Sequence, residues 1–227
     1  PGATFSMGEI MGDVSLDNGF TEAWIIYNGR TIKGVDGGVC QVSTTLFRTA
    51  FFGGFPILER VPHAYRVSYY ERTSGGGRDA KWAGMDATVY FPLVDFKFVN
   101  DSPYWILMET YFTSTSLTWK FYSTSDGRTV EWNTTGPVNI VPAPNPLFEP
   151  NPEMNEGQIK QVDWSADGSD VTVTRTVWRP VFSSISPSVW IVADGLSHFG
   201  TGREAARLAV ETFLRAGWDS PTTSPGR

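Results

Sequence analysis

Cysteine and histidine are scarce, since this chain of 227 residues contains one cysteine and two histidines. A single cysteine cannot form a disulfide within the chain, and an unpaired thiol in a secreted protein is a candidate reactive group. With so few nitrogen and sulfur ligands, a structural zinc site is unfavourable, and we expect neither a metal nor another cofactor. Chemistry from these residue types must therefore come from Cys40, His63 or His198.

Basic clusters and long apolar runs are also lacking. The net charge is −6 and the basic residues are scattered, which argues against nucleic acid or an anionic membrane as a partner. No apolar run reaches the ~18 residues of a membrane span, so we expect no membrane contact within these residues. No signal peptide is recognisable. Because residue 1 is proline rather than methionine, we expect a fragment of a longer protein.

Aromatic residues, glycine and proline are abundant, with fifteen Phe, nine Trp, 23 Gly and 15 Pro. Such a composition is typical of a folded protein with many turns and short strands. We predict an α+β fold that is rich in antiparallel strands, with one main helix following the cysteine motif. A β-hairpin region is expected in the C-terminal half, and a late helix over residues 203–217.

The main helix is predicted over residues 40–52, where apolar side chains recur at steps of three and four residues: Val42, Leu46, Phe47, Ala50 and Phe51. Gly53 and Gly54 would end this helix. Cys40 then lies at the first turn, where the unpaired N–H groups of a helix favour a thiolate over a thiol. That position suits a cysteine nucleophile. The alternative is an inert, buried cysteine.

Strands are predicted on both sides of the helix. Residues 24–27 and 31–35 would form a hairpin, because an Asn-Gly pair lies between them. Residues 57–72 are expected to be extended, and alternation would then place Tyr65 and Tyr69 on one face.

Further strands are predicted in the second half of the chain. Residues 104–113 read as a long strand and residues 117–133 as a hairpin, and a second hairpin would turn at Asp167-Gly168. Trp119 and Trp132 would form a cross-strand core pair, with a carbohydrate-binding platform as the alternative.

Four blocks of sequence occur in order between residues 5 and 111: Val35-Asp36-Gly37-Gly38-Val39-Cys40-Gln41-Val42-Ser43-Thr44-Thr45-Leu46-Phe47, Glu59-Arg60-Val61-Pro62-His63-Ala64-Tyr65-Arg66-Val67-Ser68-Tyr69, Met85-Asp86-Ala87-Thr88-Val89 and Asp95-Phe96-Lys97-Phe98. Together they resemble the VanW family. An insertion over residues 74–83 and the region after residue 179 depart from the family pattern.

The resemblance implies a bacterial cell-surface protein, of a kind often found behind a membrane anchor and wall-binding modules. Some VanW-domain proteins look like L,D-transpeptidases, which crosslink peptidoglycan stem peptides through a cysteine thioester. The chain then divides into a VanW-like domain truncated at its N-terminus, a β-rich extension with a proline-rich connector, and a divergent tail that includes the late helix. Their bounds are 1–113, 114–180 with the connector at 136–157, and 181–227.

For such a reaction Cys40 is the predicted nucleophile and His63 the predicted base, since imidazole titrates near neutral pH. His198 lies in the divergent tail, and we expect no catalytic role for it. Asp86 would orient His63 or bind the amine of the substrate, or else be an ordinary turn carboxylate.

Donors to the oxyanion are expected at the start of the helix. The backbone N–H groups of Cys40 and Gln41 are candidates, because Gly38 allows close approach of a substrate. Ser43 and Thr44 would assist there, or would instead cap and pack the helix.

Two functions from different classes remain open. In the first, the chain is an acyl transferase that binds peptidoglycan stem peptides in a cleft lined by Tyr65 and Tyr69, although these tyrosines could equally pack in a sheet. In the second, it is a non-catalytic wall-binding or glycopeptide-resistance accessory module in which Cys40 is structural. Either function implies a location outside the cell or at its surface.

Overall fold

A computed structural model describes residues 1–27, 30–35, 38–73, 75–161, 166–179 and 187–190. Within these residues the chain forms two α-helices, α1 over Met7–Met11 and α2 over Val39–Phe52, and twelve short strands. The strand pairings are antiparallel throughout the described part. The predicted α+β fold, with one main helix after the cysteine motif, is therefore confirmed. The predicted late helix and His198 lie outside the described residues.

The described strands are organised in small sheets. In chain order the strands are β1 Thr4–Ser6, β2 Ala23–Tyr27, β3 Arg30–Gly34, β4 Ile57–Glu59, β5 Lys97–Val99, β6 Leu107–Phe112, β7 Leu117–Thr124, β8 Thr129–Thr134, β9 Val138–Val141, β10 Gly168–Asp170, β11 Val173–Trp178 and β12 Pro187–Trp190. Two sheets have three strands, in the orders β1-β5-β4 and β12-β7-β6. The two-stranded sheets are β2-β3, β8-β11 and β9-β10.

Helix α2 lies at the centre of the hydrophobic core. Its side chains Val42, Leu46 and Ala50 are fully buried, on the face that the periodicity predicts. They belong to one cluster with aromatic side chains from the strands and the segments beside them: Phe5, Phe96, Phe98, Trp119 and Phe121. Burying a side chain of leucine size contributes ~1.5–3 kcal/mol. This packing holds α2, and therefore Cys40, in one position.

Helix α1 is absent from the sequence prediction, which treats residues 1–36 as loops and short strands. The Ser6 hydroxyl accepts the Glu9 N–H at 3.1 Å and donates to Asp95 at 2.6 Å. Asp95 also accepts the Gly8 N–H at 2.8 Å. A helix of five residues is too short to form on its own propensity. Its stability comes from this contact with a distant carboxylate, which periodicity cannot reveal.

The β2-β3 hairpin is confirmed, but the two later hairpins are wrong. β7 and β8 both exist, yet β7 pairs with β6 and β12 while β8 pairs with β11. In the predicted second hairpin, Gly168 begins strand β10, which pairs with β9, and β11 pairs with β8 instead of with residues 158–164. The connection between β7 and β8 ends at Arg128, a buried side chain that donates to the Gly54 carbonyl at 3.1 Å and to Asp101 at 2.8 Å. These contacts hold the start of β8 beside the end of α2, so β8 does not pair with β7.

The predicted tryptophan pair across β7 and β8 is wrong for the same reason. Trp119 lies opposite Thr110 of β6, and Trp132 lies opposite Arg175 of β11. Trp119 is buried in the core. Trp132 instead packs edge-on against Phe52 at the end of α2, with 5.4 Å between ring centroids.

The segment over residues 57–72 is extended only in part. β4 covers its first residues, and Ser68–Glu71 forms a 3₁₀ turn. The Arg66 guanidinium donates two hydrogen bonds to the Glu71 carboxylate, at 2.5 and 2.6 Å. This pair joins residues five positions apart, so the chain bends between them. The predicted alternation that put Tyr65 and Tyr69 on one face is therefore wrong. The strand predicted over residues 104–113 exists as β6, which is shorter and covers Leu107–Phe112.

The buried core continues past residue 113, where a domain boundary is predicted. Leu117 and Phe121 of β7 belong to the same buried cluster as Leu46 and Phe47 of α2. The division into domains stays a prediction. Among the described helices, none has both the length and the apolar character that a bilayer crossing requires.

Candidate active site

Cys40 is the second residue of α2, which begins after Gly38. Gly38 has a φ of 89°, in the left-handed region that favours glycine over residues with a Cβ atom. The next residue, Val39, is 1% exposed and anchors the first turn in the core. Cys40 itself is partly exposed. The thiol therefore lies at the edge of the core, on a rigid element.

Two other segments reach the Cys40 sulfur. Sγ lies 3.5 Å from Thr88 Oγ1 and 3.6 Å from the Val89 carbonyl oxygen. The His63 side chain comes from the segment after β4 and is hydrogen-bonded to Cys40. Because Asp86 occupies Nδ1 of this ring, Nε2 is the nitrogen left to face the sulfur.

Asp86 holds His63 at two points. Its Oδ2 lies 2.6 Å from His63 Nδ1 and accepts the His63 backbone N–H at 2.8 Å. The two side chains are only 10% and 4% exposed. A carboxylate on one ring nitrogen fixes the orientation and tautomer of the imidazole. Of the alternatives predicted for Asp86, the contact with His63 is the one observed.

Arg60 lies on the far side of Asp86. Its Nη2 is 3.5 Å from Asp86 Oδ1, and its Nε donates to the Asp86 carbonyl at 2.6 Å. A further N–H bonds the Gly84 carbonyl. Charge thus alternates through the site, from Arg60 to Asp86 to His63 to Cys40.

The pKa values of the three reactive groups move together. Burial raises the pKa of the Cys40 thiol, but the hydrogen bond and charge of His63, with the Thr88 hydroxyl, outweigh it and hold that pKa below its usual value. Burial lowers the pKa of His63, but Asp86 and Cys40 raise it to about 9. The pKa of Asp86 is lowered, because His63 and Arg60 outweigh its burial. Both shifts favour a thiolate beside an imidazolium over a thiol beside a neutral imidazole.

The hydroxyls predicted for the oxyanion are engaged elsewhere. Ser43 and Thr44 are fully buried, and both donate to the Ala87 carbonyl, at 2.6 and 3.2 Å. The Gln41 N–H donates to the Gly38 carbonyl at 3.1 Å. Packing, the second alternative for Ser43 and Thr44, is the geometry observed. The Cys40 N–H, which lies in the first turn of α2, stays a candidate backbone donor.

Tyrosines form the wall beside His63. The Tyr70 ring lies 5.4 Å from the His63 ring, and the Tyr69 ring lies 4.6 Å from that of Tyr70. Tyr69 is 41% exposed, and burial around its hydroxyl raises its pKa to about 12, so it stays a neutral donor. Tyr65 packs against Val67 and Tyr70 in a small cluster. Tyr69 is therefore exposed at the surface beside the site, whereas Tyr65 packs against neighbouring side chains.

Sequence reasoning passed over Thr88, Arg60 and Tyr70 as site residues. The sequence does contain a signal for Thr88. In an extended segment, residues two positions apart lie on the same face, so Thr88 shares a face with the candidate Asp86. Arg60 and Tyr70 had no such signal, since their contacts with Asp86 and His63 depend on the turn over Ser68–Glu71 and on tertiary packing.

No cluster of three or more metal-ligating side chains occurs among the described residues. A cleft of about 260 Å³ lies between the N-terminal residues and the start of β6, lined by Pro1, Ala3, Trp105 and Leu107 among others. Its lining includes none of the residues around Cys40, so the cleft is separate from the thiol site.

Comparison with known proteins gives the chain a family. The family model described as "VanW like protein" matches residues 1–122, which include every residue of the thiol site. A curated protein of Bacillus subtilis (strain 168), "Uncharacterized protein YoaR", is 36% identical over 100 residues, which cover 44% of this chain and 29% of that protein.

The chain thus spans less than a third of the length of the relative it matches. No solved structure gives a significant match. The family model covers more than half of the chain and contains the Cys40, His63 and Asp86 segments in one continuous match. On this ground, the chain belongs to the VanW family.

Proposed function

We propose that this chain is a cysteine-dependent acyl transferase of the L,D-transpeptidase type, acting on peptidoglycan stem peptides at the cell surface. The observation that carries the proposal is the connected series Cys40–His63–Asp86, with His63 Nδ1 2.6 Å from the carboxylate and the thiol pKa lowered. A nucleophile, a base and a group that orients the base are the parts that thiol acyl transfer needs. Membership of the VanW family supports a cell-wall-associated role.

The proposed first half-reaction forms a thioester. The Cys40 thiolate bonds to the carbonyl carbon of the third stem residue, and the carbonyl π electrons move to the oxygen. When the intermediate collapses, the bond to the terminal D-Ala breaks. The leaving amine takes its proton from the His63 imidazolium.

In the second half-reaction, the side-chain amine of another stem peptide attacks the thioester. It gives a proton to His63 Nε2, and Sγ leaves as the thiolate. Water in place of the amine would give a carboxypeptidase instead. Asp86 stabilises each imidazolium that forms, since its carboxylate faces Nδ1 throughout.

The test is product analysis by mass spectrometry after incubation with disaccharide tetrapeptides. We expect crosslinked dimers, or tripeptides with free D-Ala, from the unaltered protein. Cys40→Ala should form no product, and His63→Ala should be slower by ~100-fold or more. His198→Ala is the matched control, because it removes the other histidine of the chain, and it should behave as wild type.

Intact substrate with every variant would reject the proposal. Slow alkylation of Cys40, with an ordinary thiol pKa of ~8.5, would then identify the cysteine as structural. The chain would in that case be a wall-binding or accessory module.

A further inference from the structure

We propose that Thr88 is a further catalytic residue of this site, whose hydroxyl donates first to the Cys40 thiolate and then to the oxyanion of the acyl intermediate. The inference rests on the proposed acyl-transfer function. It supplies a side-chain donor to the oxyanion, a role for which the sequence offered Ser43 and Thr44 as one of two alternatives.

The first argument is contact with the nucleophile. Thr88 Oγ1 lies 3.5 Å from Cys40 Sγ, within the range of a sulfur hydrogen bond. Thr88 is partly exposed, so its hydroxyl lies at the edge of the core as Cys40 does. The hydroxyl and the sulfur therefore share the space that a substrate carbonyl must enter.

The second argument is rigidity on both sides of the hydroxyl. The Thr88 N–H donates to the Val61 carbonyl at 2.8 Å. The preceding residue, Ala87, is tied to α2, since its N–H donates to Thr44 Oγ1 at 3.0 Å and its carbonyl accepts from Ser43 and Thr44. A donor that is held in place before the reaction needs no reorganisation when charge develops.

The third argument is that the competing donors are occupied. Ser43 and Thr44 donate to Ala87, and the Gln41 N–H donates to Gly38. Nε2 of His63 carries the proton that the leaving amine requires. Of the hydroxyls of Ser43, Thr44 and Thr88, that of Thr88 is the one in contact with Cys40 Sγ, at 3.5 Å.

The charge movement explains why one hydroxyl can serve twice. In the resting pair, negative charge lies on Sγ, and Thr88 O–H points to it. On attack, the sulfur electrons form the S–C bond and the carbonyl π electrons move to the oxygen. The charge thus moves over two bonds, from Sγ through the carbonyl carbon to the oxygen, and the Thr88 O–H follows it by rotating about the C–O bond alone.

The experiment compares Thr88→Val, which has the same shape without the hydroxyl, with Thr88→Ser, which keeps the hydroxyl. Thr110→Val is the matched control, because it removes a buried hydroxyl from strand β6. Single-turnover thioester formation with a tetrapeptide stem is followed by intact-protein mass spectrometry. In parallel, iodoacetamide alkylation of Cys40 is measured against pH, and melting temperatures verify folding.

We expect Thr88→Val to form the thioester ~100-fold more slowly, the size of effect seen when one oxyanion donor is removed. Its alkylation profile should shift to higher pH. Thr88→Ser should recover most of both properties, and Thr110→Val should match wild type. Thioester formation by Thr88→Val within about threefold of wild type, or equal slowing in Thr88→Ser, would overturn the role of Thr88.

The two proposals fail in distinguishable ways. If the wild-type protein forms no thioester while its alkylation profile is that of a low-pKa thiol, the acyl-transfer function and the oxyanion role are both rejected. A shift of the alkylation profile in Thr88→Val would then still establish the hydroxyl as a partner of the thiolate. If the wild type forms thioester and Thr88→Val does so equally, only the role of Thr88 is rejected.

Discussion

At the scale of single residues, the site consists of side chains whose charges depend on one another. Asp86 has a lowered pKa because it faces His63 and Arg60, and His63 has a raised pKa because it faces Asp86 and Cys40. Removing any one of them changes the titration of the rest. Their pH dependence is therefore the most direct measurement of the arrangement.

The first prediction concerns the alkaline side of the pH profile. The folded-state pKa of His63, about 9, exceeds the ordinary value of 6.5, so its contribution to stability is complete below pH 6.5 and is lost as pH rises through 9. Thioester formation should fall over the same range, because the imidazolium that protonates the leaving amine disappears. Stopped-flow alkylation and acylation between pH 5 and 10 would measure both.

His63→Ala supplies the contrast for this prediction. Without the imidazolium, alkylation of Cys40 should need a higher pH, near the ordinary thiol pKa of ~8.5. An alkylation profile that is identical in wild type and His63→Ala would contradict the ion pair.

The second prediction assigns a positioning role to Arg60. Arg60→Met keeps an aliphatic stem but removes the guanidinium, which lies over the Phe47 ring and near Asp86. The pKa of Asp86 should rise, so the acid limb of the acylation profile should move to higher pH. Arg60→Lys should restore part of the effect by returning the charge.

Stability measurements separate this role from a general loss of packing. The carboxylate of Asp86 has a lowered pKa, so its contribution is present above the ordinary value of 3.8 and is lost as pH falls below it. Arg60→Met should therefore cost ~1–3 kcal/mol at pH 7 and less at pH 3. Lys97→Met, which removes a half-exposed cation beside Glu59, should change little at either pH. An acid limb that stays in place would assign Arg60 to structure alone.

At the scale of elements, the connection between α2 and the segment over residues 85–89 sets the geometry of the site. Thr44 Oγ1 accepts the Ala87 N–H at 3.0 Å and donates to the Ala87 carbonyl, whereas Ser43 donates to that carbonyl and to the Cys40 carbonyl. The two hydroxyls therefore differ in what their loss leaves unpaired.

The third prediction follows from that difference. Thr44→Val leaves the buried Ala87 N–H without its acceptor and should lower the free energy of unfolding by ~1–3 kcal/mol. Ser43→Ala should cost less, because Thr44 still donates to the same carbonyl. Urea titrations of the two variants give the comparison, and a larger cost for Ser43→Ala would contradict this assignment.

What the sequence predicts at this scale is what periodicity and turn signals encode. The main helix and the β2-β3 hairpin are such cases, because their apolar spacing and their Asn-Gly pair are local. The placing of Cys40 at the first turn followed from the same helix. The contact between His63 and Asp86 was only one of several alternatives.

Long-range contacts explain the errors. β8 pairs with β11 rather than with β7 because Arg128 reaches Gly54 and Asp101, and no local pattern contains that preference. The Ser68–Glu71 turn depends on the ion pair between Arg66 and Glu71. The alternating apolar residues of this segment predict an extended strand, and nothing in that pattern indicates the ion pair. The sequence does not distinguish a capping role from a catalytic role for Ser43 and Thr44, because hydroxyl groups near the start of a helix are used for both.

At the scale of the whole molecule, the β-rich part contributes to the same core as α2. Arg175 of β11 donates to the Phe51 carbonyl at 2.9 Å, and Trp132 of β8 packs on Phe52. Gly54 lies so close to β11 that an added Cβ would approach Val177 to 3.2 Å. The predicted extension is thus in direct contact with the helix that carries the cysteine.

The fourth prediction is that residues 1–113 will not fold alone. Such a chain lacks Leu117, Trp119 and Phe121, which are at most 2% exposed in the core. A chain of residues 1–190, which retains β12 beside β7, is the control and should melt cooperatively. Circular dichroism during heating gives the readout. A cooperative transition in the shorter chain would support the predicted boundary at residue 113.

The bond from Arg175 to Phe51 has a consequence for variants of the β-rich part. A helix of 14 residues is a stiff rod ~21 Å long, so whatever tilts its far end also displaces the sulfur near its beginning. Arg175 stands 124 positions from its acceptor. Substitutions in β11 can therefore alter thiol reactivity without touching any residue beside the thiol.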